Sequence, residues 1–282
     1  MSADNITTYE PEDRLKQGYL TTVGEILHEI SQNRWLTFQL FKRDLSSLYK
    51  QSLIGILWVF IIPIVTVGTF IVLNRSGVFN IGNVGVPYAI YAILGVAFWQ
   101  LFSTGLVAGS NSLSSAGNMI TKINFSRKSL VIASSGQALL SFVIQFSLLL
   151  PLFVFYSYPP SAAILLVPLL IVPLLLLTLG LGFVLSLLSG VVKDISLVLS
   201  VVMTFLLFLT PILYAKPETG AIATLANYNP IYYLISVPRD LVLTGSTSAW
   251  VGFIIAVAIS LIVFIVGILT FHLSEIRVAE RM

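Results

Sequence analysis

Six apolar runs recur along this chain, over residues 53–73, 89–108, 130–155, 162–188, 195–214 and 250–271, and none of its 15 basic or 12 acidic residues falls inside them. A helix rising 1.5 Å per residue crosses the ~30 Å hydrocarbon core of a bilayer in about 20 residues, so each run has the length of a membrane span. Hydrophobic residues make up 57% of the chain and charged residues 10%, against roughly 45–50% and about 25% in soluble domains. A soluble core does not account for that excess, and an all-α integral membrane fold with six transmembrane helices is expected. The fifth run carries Thr204 and Thr210-Pro211. Its outer end is expected to break early into non-helical backbone, which is tolerated only where protein or a wet cavity covers it.

Charge placement orients the bundle. With both termini inside, twelve of the 15 Lys and Arg fall on inner segments and only Arg75, Lys216 and Arg239 on outer ones. Cytoplasmic loops retain basic residues, so both termini are expected in the cytoplasm. The net charge of +3 then reflects orientation, and no basic face for nucleic acid is expected. Ion relays and voltage sensors place ionisable groups within the spans. The spans here offer only neutral groups such as Gln100, Gln137 and Gln145, which points to transport powered from outside the membrane. With no cysteine, and with His28 and His272 far apart in sequence, no metal or redox site is expected.

The opening MSADNITTYEPEDR is acidic and polar and lacks the basic, then apolar, pattern of a secretory leader. Residues 1–18 read as a flexible cytoplasmic tail. From Val23 onward, Val23, Ile26, Leu27 and Ile30, then Trp35, Phe38, Phe41, Leu45 and Leu48, recur at helical spacing around the polar break Ser31-Gln32-Asn33. Residues 19–50 are therefore an amphipathic helix, lying on the inner leaflet or serving as a packed anchor. Residues 51–282 form the transmembrane domain. Pro63 is expected to kink the first span, and Pro168 and Pro173 to bend the fourth.

Two connectors stand out. In residues 109–129, Ser115 is expected to cap a short helix through Met119, Ile120 and Ile123, whose apolar face meets a protein partner or packs back under the bundle. Residues 215–249 face outward yet keep apolar periodicity in Ile231, Leu234, Ile235, Leu241 and Val242. Short re-entrant helices before the last span are the functional reading there, and an interfacial aromatic anchor the alternative.

The order Tyr49-Lys50-Gln51-Ser52-Leu53-Ile54-Gly55-Ile56-Leu57-Trp58, then Pro63, then Asn118-Met119-Ile120-Thr121-Lys122-Ile123-Asn124-Phe125 with Arg127, resembles the permease subunit of ABC-2 type polysaccharide exporters, which carry O-antigen, capsule or teichoic acid. The likeness runs from about Glu25 to Phe271 and includes Thr210-Pro211-Ile212-Leu213-Tyr214 and Asn229-Pro230. Ser126 stands where the family usually has Pro, Lys193-Asp194 stands where Arg-Asp is common, and the tail SEIRVAERM is only faintly similar. The resemblance implies two permease copies, two copies of a separate ATP-binding subunit, and a lipid-linked polysaccharide moving between the permeases. It implies a coupling helix on the ATPase, carried by Asn118, Met119, Ile120, Lys122, Phe125 and Arg127. The helix over 19–50 becomes an interface helix, and a periplasmic gate comprises Tyr228, Asn229, Pro230, Tyr232, Tyr233 and Arg239.

The chain holds no Gly-x-x-x-x-Gly-Lys-Ser/Thr phosphate loop, so ATP and magnesium belong to the partner and this chain needs no cofactor and is not an enzyme. Aromatic faces bind sugar rings weakly and let a polymer slide, which makes Trp58, Phe60, Tyr91, Trp99 and Phe102 candidates to line the path. O-antigen is the expected cargo, with capsule or teichoic acid as alternatives. A membrane transferase acting on lipid-linked sugars would need clustered carboxylates, and no Asp-x-x-Asp or Asp-x-Asp occurs.

Overall fold

The computed structural model describes residues 19–50, 55–78, 81–117, 126–192 and 194–279, and among them every regular element is helical. In chain order these are α1 (Tyr19–Gln32), α2 (Arg34–Lys50), a 3₁₀ turn (Gly55–Leu57), α3 (Trp58–Arg75), α4 (Tyr88–Ala116), α5 (Arg127–Ser147), α6 (Leu149–Phe155), a 3₁₀ turn (Ala162–Leu166), α7 (Val167–Leu170), α8 (Val172–Val191), α9 (Asp194–Leu209), α10 (Ala221–Tyr228), α11 (Pro230–Thr244) and α12 (Trp250–Ala279). Among the described residues, five helical stretches are long and apolar enough to cross a membrane: α3, α4, α5 with α6, the stretch Ala162–Val191, and α12.

The fifth run in chain order breaks off at its outer end, where the early break is expected. It forms only the 16 residues of α9, about 24 Å of helix. Pro211 cannot supply the N–H that would continue the helix, and Thr210 to Tyr214 leave it as buried, non-helical backbone. Proline also explains the other interruptions. Pro151 withholds the donor that the Ser147 carbonyl would need, and the helix breaks between α5 and α6 at Leu148, whose N–H turns to the Gln145 carbonyl at 3.1 Å. Pro168 and Pro173 fall in the first turns of α7 and α8, which are parted only by a turn at Ile171, and the bonds from the Ile171 and Leu175 N–H groups to the Val167 and Ile171 carbonyls, both 3.0 Å, carry the helix across it. Pro63 instead sits inside an α3 that remains helical from end to end. The polar break in the amphipathic stretch falls at Asn33, between α1 and α2.

The central helix is α4, whose most apolar window is 78% buried. A helix apolar on all sides belongs in the middle of a bundle, and α5, α8, α9, α11 and α3 all pack on it. Small residues set the closest approaches. A Cβ added at Gly180 on α8 would lie 2.7 Å from the Phe264 backbone, and one at Gly267 on α12 would lie 2.2 Å from the Gly180 carbonyl oxygen. Here the α8 and α12 backbones touch.

Ser115 lies in the last turn of α4, not at the start of a separate helix, which corrects its expected capping role. In the polar run before it, two side chains are tied to neighbouring helices and one to its own helix. Ser110 bonds Ser189 at 2.9 Å, Ser196 donates to Asn111, and Ser114 donates to the Asn111 carbonyl. Met119, Ile120 and Ile123 lie outside the described residues.

Candidate functional site

Two polar clusters sit at opposite ends of the bundle. At one end, α5 begins immediately after the segment 118–125, and its second residue, Lys128, is fully buried. Its Nζ lies 2.6 Å from a Glu275 carboxylate oxygen on α12 and 2.9 Å from one of Glu29 on α1. Ser126 Oγ donates to the other Glu29 oxygen at 2.7 Å, and Arg127 donates to the Glu275 backbone carbonyl at 2.7 Å. Three elements distant in sequence are thus clasped by adjacent residues of one helix start. Burying an ammonium is expensive without paired carboxylates and further hydrogen bonds, and the clasp supplies both.

Burial alone would raise the Glu29 carboxyl. The Lys128 charge and the hydrogen bonds from Lys128 and Ser126 outweigh it and hold the group below the usual carboxylate range. His272, also buried, brings Nδ1 to 3.8 Å from Glu275 and Nε2 to 3.9 Å from Glu25. Glu29, His272 and Glu275 place ligand atoms within 4.8 Å of one another, but Lys128 already occupies the position between the carboxylates. Farther along α5, Ser134 and Gln137 donate to Asp44 at 3.3 and 3.2 Å and so fix α2 against the bundle.

At the other end, the non-helical stretch after α9 has its carbonyls taken up one by one. Arg239 Nη1 donates to Ile212 O at 2.8 Å, Tyr88 OH to Leu213 O at 2.9 Å, and Tyr91 OH to Tyr214 O at 3.2 Å. Tyr214 OH returns to Phe208 O at 2.6 Å, and Asn229 Nδ2 reaches Thr210 Oγ1 at 2.9 Å. The Asn229 side chain also caps α11 by accepting from the Ile231 N–H. Buried irregular backbone persists only when its polar groups are paired, and α4 and α11 with its N-cap Asn229 provide these partners.

The gate candidates divide between surface and interior. Tyr228 is 84% exposed, Asn229, Pro230, Tyr232 and Tyr233 are half-buried, and Arg239 is buried. The aromatic path candidates fall on two helices, and of them Trp99 and Phe102 on α4 bring their ring centroids within 5.8 Å. Trp58 is 46% exposed and Phe60 is half-buried, both on α3, whereas Tyr91, Trp99 and Phe102 are sealed in the packed core around α4. The latter three pack against their own chain's core in this arrangement. A uniformly apolar helix carries no sequence mark of the face it buries. Of the coupling candidates, Asn118, Met119, Ile120, Lys122 and Phe125 lie outside the described residues, and Arg127 is the one the structure places, in the Lys128 clasp.

Sequence reasoning passed over Glu29, Lys128 and Glu275. A signal was present, since Glu29 follows Ile26 by three residues and Glu275 follows Phe271 by four, both on apolar faces. A carboxylate so placed needs a buried cation.

An all-helical bundle of apolar spans, with polar contacts gathered at its two ends, defines a multi-pass membrane protein. The chain belongs to the ABC-2 type transporter family, which matches residues 36–243. It is 28% identical over 218 residues to the O-antigen export system permease protein RfbA of Myxococcus xanthus, covering 75% of this chain and 81% of that protein. A Klebsiella pneumoniae protein of the same name is 24% identical over 243 residues, covering 84% of this chain and 91% of its own length.

Proposed function

We propose that this chain is the transmembrane subunit of an ATP-driven exporter of a lipid-linked polysaccharide, O-antigen in the first instance, in the cytoplasmic membrane with both termini in the cytoplasm. The observation that carries the reading is the family match over residues 36–243, extended by O-antigen permeases aligned over most of their length. Two copies of the chain pair with two copies of a separate ATP-binding subunit, which binds ATP and magnesium. This chain is not an enzyme and supplies the path.

The Lys128 clasp supports a route for the driving force. The segment 118–125 docks on the ATP-binding subunit, and displacement there moves the start of α5. Through Lys128, that movement reaches α1 and α12 together. Bistable packing is needed for such coupling, and α3 and α9 are suited to it. They are largely exposed along Trp58, Ile62, Val65, Leu197, Val201 and Phe205, and they touch each other through the stacked rings of Phe70 and Phe208, 6.1 Å apart. The second copy faces these two helices, and Trp58 and Phe60 line the path between copies. The tied Thr210–Tyr214 stretch with α10 and α11 forms the periplasmic gate.

Replacing Lys122, Phe125 and Arg127 with alanine in the assembled exporter tests the reading. Export is expected to fall while the partner's ATP hydrolysis persists, and unchanged export would refute the coupling role.

A further inference from the structure

A groove of about 610 Å³ opens at the Arg239 end, between the connector after α9 and the first turns of α12. That volume is within the roughly 300–1,000 Å³ of sites that hold small amphipathic ligands. Its lining changes in chemistry from one side to the other. Lys216 and Asn227 line one side, and Ile255 and Ile259 line another along α12. From Gly252 to Ile259 that apolar lining runs about 10 Å along the helix, within a run that carries no charge. One wall is Tyr233, whose ring lies so close over Gly252 that an added Cβ would be 2.2 Å from it.

We propose that this groove is a site for an anionic phospholipid, with the headgroup phosphate on Lys216 and one acyl chain along Ile255 and Ile259. The Lys216 ammonium has three donors. One goes to Asn227 Oδ1 at 2.5 Å, and the Tyr232 ring centroid lies 5.2 Å away. No carboxylate lies within ion-pair distance of Lys216 among the described residues, and no acidic side chain lines the groove. A phosphate therefore meets a positive charge that has no carboxylate partner, and a hydrocarbon chain meets an apolar side that is already half exposed at Ile255. A second copy related by a two-fold axis would set the same acid-free surface against itself and leave Lys216 unneutralised. The site depends only on this end lying at a bilayer surface, in whichever leaflet.

The test is lipid retention by the purified full-length permease with its natural partners, reconstituted with phosphatidylglycerol or phosphatidylcholine and read by native mass spectrometry. The unmodified protein is expected to retain about five-fold more phosphatidylglycerol, the factor one lysine contributes at an anionic surface. Lys216→Gln is expected to abolish the preference, Lys216→Arg to keep it, and Ile255→Trp to reduce retention of both lipids. Equal retention of the two lipids by the unmodified protein, or an undiminished preference in Lys216→Gln, would overturn the proposal. A change in oligomeric mass on Ile255→Trp with lipid retention unchanged would assign the groove to a second copy. Displacement of phosphatidylglycerol by an isoprenyl diphosphate would assign it to a transported lipid, and either result overturns it.

Discussion

The guanidinium carbon of Arg239 lies 3.8 Å above the ring centre of Tyr91, while Arg239 Nη1 and the Tyr91 hydroxyl bind carbonyls two residues apart, those of Ile212 and Tyr214. One stacked pair thus holds the backbone that follows the shortened α9. Lysine offers neither the flat face nor the fork, so Arg239→Lys is expected to destabilise the protein. Arg239→Met also leaves the Ile212 carbonyl buried and unpaired, which costs about 1–3 kcal/mol. Thermal unfolding in detergent should rank the wild type above Arg239→Lys, and Arg239→Lys above Arg239→Met. Equal midpoints for all three would contradict the role.

The Lys128 clasp predicts strong non-additivity. Removing the cation alone, as in Lys128→Met, strands Glu29 and Glu275 and is expected to cost about 3–5 kcal/mol. Neutralising the carboxylates as well, with Glu29→Gln and Glu275→Gln, should recover much of that loss. Denaturation of the single, double and triple variants measures the coupling, and additive losses would show that the clasp does not act as a unit.

The depressed Glu29 carboxyl gives a pH dependence with a defined sign. A group that binds its proton more weakly when folded stabilises the fold above its unfolded value of about 4.3, and that contribution is lost as pH falls through the lower folded value. Glu29→Gln removes this term. Its stability relative to wild type should be lowest at neutral pH and close on wild type as pH falls from about 4.3 through the lower folded value, as unfolding midpoints taken across the acid range would show.

Close backbone approach predicts opposite outcomes at two glycines. Gly267→Ala drives a Cβ into the Gly180 carbonyl and must push α8 and α12 apart, an overpacking cost of about 1–3 kcal/mol. Gly24 on α1 has nothing within 4 Å of an added Cβ, so Gly24→Ala should be neutral or stabilise by up to about 1 kcal/mol through helix propensity. Paired thermal melts of the two variants test the contrast.

What the sequence could reveal depended on range. Apolar runs, the Asn33 break and the Thr210-Pro211 stop are local and were readable from residue type. The ties from Tyr88 and Tyr91 to the carbonyls of Leu213 and Tyr214 join residues more than 120 positions apart, and no periodicity encodes them. Aromatic residues carry no mark of the face they present, so the burial of Tyr91, Trp99 and Phe102 around α4 was not readable from residue type. Lys128 looked like one more basic residue in a loop until α1 and α12 brought two carboxylates to it.

The most direct test of the account is transport in sealed vesicles containing the purified permease, with and without its ATP-binding partner. Export of lipid-linked polysaccharide is expected only when the partner and ATP are both present, and it should be lost in Lys128→Met even where ATP is still hydrolysed. Export by the permease alone, driven by a proton or sodium gradient without nucleotide, would contradict it.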